Sequence, residues 1–152
     1  MQNEAYSRAV IDQHLKDIGW DILDTNQVVF EDHGAAGRAD YVLKDKQGKP
    51  IALIEAKAPN IDPYSAKKQA FDYAELQYKG NIDYIFLAND HITYFWDFNA
   101  GGDATPVPAF FSQNDLIRKR QTRSAKISEP LNQKPVSNEY FSDINSDIKL
   151  RP

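Results

Sequence analysis

The chain of 152 residues has no cysteine, which excludes disulfides and thiolate metal sites. No apolar run approaches the ~18 residues of a membrane helix. The start, MQNEAYSRAV, has neither a basic n-region nor an apolar h-region, so a cytoplasmic protein with no membrane partner is expected. There is no G-x-x-x-x-G-K-S/T loop, so ATP is not expected to bind through one. No Ser/His/Asp signature stands out, and His14, His33 and His91 lack metal-ligand spacing and read as surface or core histidines. Positive charge is the scarcer sign: 18 Lys and Arg face 22 Asp and Glu, a net charge of -4. The whole molecule therefore does not attract polyanions, and any nucleic-acid contact needs a local basic surface.

What remains is an ordinary globular composition, long enough for one domain and one core. Ile11, Leu15 and Ile18 mark one face of an N-terminal helix closed by Gly19, and the same stripe runs back to Arg8 and Glu4. GWDILDTNQVVFED reads as a strand or two short pieces, and HGAAG as a loop. RADYVLKD and KPIALIEAK read as a hairpin turning at Lys46 to Lys49. Asp62 and Pro63 open a second helix that stops at Gly80. DYIFLA and ITYFWDF are strands joined through Asn89 and Asp90, which tolerate a positive φ. The strand, helix, strand order from Ile51 to Leu87 suits a parallel crossover and hence a mixed sheet. After a short helical piece, SQNDLIRKR, the chain from Gln121 is polar and aperiodic, as in a linker or tail.

Chemistry concentrates in the hairpin. With Asp45 paired to Pro50, Asp40 falls opposite Glu55, and alternation puts Lys57 on the same face as Glu55. Two carboxylates that close repel unless one is protonated or a cation lies between them. Mg²⁺ is the natural cation, since it takes hard oxygen ligands and few carboxylates. Lys57 would then orient or deprotonate the attacking water, or stabilise charge on a phosphorus. A cross-strand salt-bridge cluster is the plainer alternative, but Glu55 and Lys57 interrupt the apolar run IALI, where unpaired charge is costly. On the second helix Gln69 and Tyr73 stack at i, i+4, with Lys67 and Lys68 nearby. They suit DNA contacts, or an amphipathic helix with Tyr73 in the core and Gln69 solvated. The basic run RKRQTRSAK is equally open between DNA and solvent.

Asp40, the triplet Glu55-Ala56-Lys57, then Gln69 and Tyr73 resemble the PD-(D/E)xK nuclease pattern with its Q-x-x-x-Y extension. GRADYVL, IALIEAKAP and AKKQAFDYAE resemble the N-terminal nuclease domain of the R subunit of type I restriction-modification enzymes, over Glu4 to about Arg118. The resemblance implies an α/β, restriction-endonuclease-like mixed central sheet flanked by helices, spanning residues 1–118, with 119–152 leading toward a helicase-like motor. It implies Asp40, Glu55 and the Ala56 backbone carbonyl as Mg²⁺ ligands, Lys57 as the catalytic lysine and Glu4 as the acid of the first helix near the metal. Gln69, Tyr73, Lys67 and Lys68 would be the DNA-binding set. Ala39 stands where the motif has proline, a position without chemistry. Implied partners are double-stranded DNA and the modification and specificity subunits. The final IKLRP resembles the lead into the ATP-dependent translocase, so the expectation is a metal-dependent endonuclease domain truncated before it, with ATP used only by the full-length subunit. The alternative is a non-catalytic DNA-binding or subunit-docking module with the same fold.

Overall fold

The computed structural model describes residues 3–34 and 37–128. Helix α1 spans Glu4–Asp17, opened by the Asn3 side chain accepting from the Tyr6 N–H at 3.3 Å. Ser7, Ile11 and Leu15 form its buried face, and Gly19, at φ +102°, follows the Ile18 cap. The next residues do not form a strand. Asp21 and Asp24 turn their carboxylates onto the N–H groups of Leu23 and Asn26, and these local turns displace extended structure until Val28.

Strands β1 (Val28–Gly34) and β2 (Gly37–Lys44) are antiparallel, as are β2 and β3 (Pro50–Ala56). The expected pairing of Asp45 with Pro50 is corrected: Lys44 pairs with Pro50, and a bulge lies between Leu43 and Lys44. Asp45 belongs to the turn, where its carboxylate accepts from the N–H groups of Gln47 and Lys49, both at 2.9 Å. Beyond the bulge the ladder runs Leu43 to Ala52, Val42 to Leu53 and Tyr41 to Ile54, which brings Asp40 level with Glu55.

After β3, the Asp62 side chain caps a 3-10 turn at Pro63–Ala66 that leads into helix α2, Lys67–Tyr78. Lys79 in the left-handed region and Gly80 end the helix. Strand β4 (Tyr84–Ala88) then lies parallel to β3, and β5 (Thr93–Trp96) antiparallel to β4. Their turn does not use a positive φ. The Asn89 side-chain oxygen instead accepts from His91 and Ile92 N–H, copying a backbone turn. Strand β6 (Thr105–Val107), unforeseen in sequence, pairs with β5 at the sheet edge, where Pro106 is tolerated. The six strands make one mixed sheet in chain order. Helix α3, Gln113–Ser128, is longer than SQNDLIRKR and replaces the expected linker from Gln121 to Ser128. The first compact unit ends at Ile117. The tail from residue 129, including IKLRP, lies outside the described residues.

Strands β3 and β4 are buried on both faces, as an apolar run demands. On one face Tyr41, Leu43, Ile54 and Phe86 pack with Ile11 and Leu15 of α1 and Leu116 of α3. On the other, Val42, Leu53, Ile85 and Leu87 pack with Ala70, Tyr73 and Ala74 of α2, whose small residues let helix and sheet approach closely. The described helices include none long and apolar enough to cross a membrane.

Candidate active site at the mouth of the hairpin

Asp40 and Glu55 lie two residues from Val42 and Leu53, and so share the sheet face covered by α2. Both are buried, Asp40 at 2% exposure and Glu55 at 8%. One Asp40 oxygen accepts from the Ala56 N–H at 2.7 Å, which ties it across to β3. The other faces Arg8 Nε at 3.8 Å. The Glu55 carboxyl is pushed up to about 8, first by burial and then by the charge of Asp40, to which it is also hydrogen-bonded. Glu4 pushes in the same direction, and the Lys57 ammonium opposes it. Asp40, Glu55, Lys57 and Glu4 are thus brought within electrostatic reach of one another by β2, β3 and the first turn of α1. Lys57 is half-buried, and its N–H continues the parallel ladder to the Ala88 carbonyl at 2.9 Å.

Two buried carboxyls facing each other fit a cation, which would let both acids ionise. Among the described residues, no three His, Cys, Asp or Glu side chains form a group able to hold a metal ion. Two carboxylates suit a hard ion completed by backbone oxygen, water and phosphate, as Mg²⁺ is, better than one needing several protein donors.

The residues proposed for DNA separate. Gln69 is exposed, whereas Tyr73, one turn on, is 3% exposed and packs edge-on against Tyr78. Lys67 is paired with Asp103, and its ammonium lies 4.7 Å from the centre of the Trp96 ring. Lys68 pairs with Asp72 on the exposed face of α2. His14 and His91 are exposed, and the side chain of His33 lies outside the described residues.

Sequence reasoning assigned no role to the cluster behind Asp40. The Tyr41 hydroxyl lies 2.6 Å from an Asp12 carboxylate oxygen and 3.0 Å from the Arg8 carbonyl, stitching β2 to α1. Burial and Asp12 together push the tyrosine far above its ordinary range. The signal available was the i, i+4 run Glu4, Arg8, Asp12 beside the buried stripe of α1.

Residues 24–104, just over half of the chain, match the family model of the type I restriction enzyme R protein N terminus. A solved fragment assigned to an HsdR subunit of a type I restriction enzyme from Vibrio vulnificus YJ016 superposes with a TM-score of 0.66 at 24% identity. The match covers 82% of this chain and 27% of that one, so this chain spans about a quarter of its solved relative. The curated proteins include no match.

Proposed function

Since the chain belongs to the family of type I restriction enzyme R protein N-termini, we propose that it is the metal-dependent DNA endonuclease domain of such a subunit. On this reading residues 1–118 are a PD-(D/E)xK nuclease that hydrolyses phosphodiester bonds. The observation that carries it is the convergence of Asp40 and Glu55, two buried carboxyls level with each other on neighbouring strands, with Lys57 and Glu4 around them. A purely structural ion-pair cluster would match acids with bases, whereas this one gathers three acids around Lys57 and Arg8.

Asp40, Glu55 and the Ala56 backbone carbonyl would hold Mg²⁺. When bound, the ion supplies positive charge that acidifies water and offsets charge building on the phosphate. The Ala56 N–H fixes the Asp40 carboxylate against β3. The positive charge of Lys57 beside Glu55 favours the ionised form of that acid, and Lys57 would orient the attacking water or stabilise the charge building on phosphorus. Gln69 on the exposed face of α2, with Tyr73 beneath it, would meet the duplex, while Lys67 and Lys68 add positive potential there. Double-stranded DNA is the substrate, and the modification and specificity subunits are the partners of the whole R protein.

The test is substitution in the assembled restriction complex. Lys57→Ala and Asp40→Ala are each expected to lower DNA cleavage by about 100-fold or more, with complex assembly and the circular dichroism spectrum unchanged. Cleavage that survives both substitutions would point to the non-catalytic docking or DNA-binding module.

A further inference from the structure

Resting on the nuclease reading above, we propose that the groove between α1 and strands β1 and β2 receives one unstacked base of the DNA strand being cut, with the ring of Phe30 against the base. Ala5, Arg8, Ala9 and Asp12 form its helix side, and Phe30 and Tyr41 its sheet side. At about 290 Å³ the groove lies at the small end of ligand pockets, so it suits one flat ring system better than a protein segment. The two alanines leave room that larger side chains would fill.

The groove presents the chemistry that a base needs. Phe30 is 39% exposed, and its ring meets Tyr41 at 5.4 Å and 61°, an edge contact that fixes the ring without covering it. An aromatic face exposed in this way can stack on any base, because every base has a π-face. Asp12 adds hydrogen bonding. The Tyr41 hydroxyl lies 2.6 Å from one of its oxygens and uses only part of the acceptor capacity of a carboxylate, so the rest can take an N–H from the pairing edge of a base. A lone exposed phenylalanine is ordinary on a protein surface. Here the aromatic, the acceptor and the small residues share one groove.

Position ties the groove to the acids. Phe30 pairs with Tyr41 across the ladder of β1 and β2, and Tyr41 follows Asp40 along β2. Arg8 lines the groove with its Nε 3.8 Å from Asp40, while its side chain also hydrogen-bonds the Tyr41 hydroxyl. These contacts make Arg8 a fixed wall between groove and acids. A phosphate held at Asp40 and Glu55 would have a neighbouring base of its strand beside the groove. That base must first leave the duplex stack, so DNA already unpaired at this step is bound more tightly.

The experiment uses the whole chain and fluorescein-labelled DNA in Ca²⁺, read by anisotropy, with a perfect duplex beside the same duplex carrying a short unpaired bubble. Wild type is expected to bind the bubble about fivefold to a hundredfold tighter than the duplex. Phe30→Ala should remove that preference and leave duplex affinity unchanged. Phe30→Leu keeps the apolar bulk without the ring face and should lose the preference too, whereas Phe30→Tyr should keep it; this pair carries the comparison if the alanine variant does not fold. Equal affinity of wild type for the two DNAs, no measurable binding of the bubble, or a preference that survives Phe30→Leu overturns the proposal. Mn²⁺ calorimetry on wild type, Asp40→Asn and Phe30→Leu keeps the two readings apart. Binding lost in Asp40→Asn and retained in Phe30→Leu supports the metal site whatever the bubble result. Binding that is absent, or indifferent to Asp40→Asn, removes the nuclease reading and the base groove with it.

Discussion

Glu55 is where the fold works against itself. An acid with an ordinary value of 4.5 is held at about 8 by burial and by Asp40, so the folded protein keeps a proton that the unfolded chain has released. With chelator present, its contribution to stability is fully present below about pH 4.5, declines above that, and is lost once pH has passed about 8. Denaturant titrations of metal-free protein should therefore show stability falling across this window. Glu55→Gln, which cannot ionise, should flatten the profile and be the more stable form at the alkaline end. A wild type whose difference from Glu55→Gln does not change with pH would contradict a Glu55 carboxyl held up by burial and by Asp40. Excess Mg²⁺ should offset the alkaline loss in wild type alone, since the cation replaces the proton between the carboxyls.

At the scale of elements, the hairpin β2–β3 and helix α1 build the site together. The hairpin was legible in sequence because alternation fixes the face and turn residues fix the register to within one residue. Its bulge was not, because Asp45 could serve equally as a strand end or as a turn acceptor, and two local N–H groups decided for the turn. Helix α2 was legible as an amphipathic segment, while the partner of Lys67 was not: Asp103 is 36 positions away, and no local pattern announces it. The seam between α1 and β2 depends on Tyr41, whose hydroxyl spans 33 positions to the Arg8 carbonyl. Tyr41→Phe should cost about 1–3 kcal/mol in chemical denaturation, through the lost hydroxyl and an Asp12 carboxylate deprived of that partner. It should also weaken DNA cleavage, since α1 carries Glu4 and Arg8 to the acids. Unchanged stability would mean that water replaces the hydroxyl without penalty.

For the molecule as a whole, a net charge of -4 and an acid-rich site predict weak capture of DNA by this chain on its own. Each phosphate neutralised contributes about -0.9 to the slope of log affinity against log salt, so contacts by only one or two cations give a slope of about -1 to -2. Duplex binding measured between low and moderate salt should show that shallow dependence. A slope steeper than about -4 would bring in further cations, the basic stretch of α3 first among them, and would mean that the duplex footprint extends beyond the hairpin. The sheet order also bears on how the protein comes into being. Each strand hydrogen-bonds to the strand made just before it, so the sheet can grow in the direction of synthesis without waiting for distant sequence. Asp40 and Glu55 lie on strands that are neighbours both along the chain and in the sheet, so pairing the third strand with the second is all it takes to bring the two acids level.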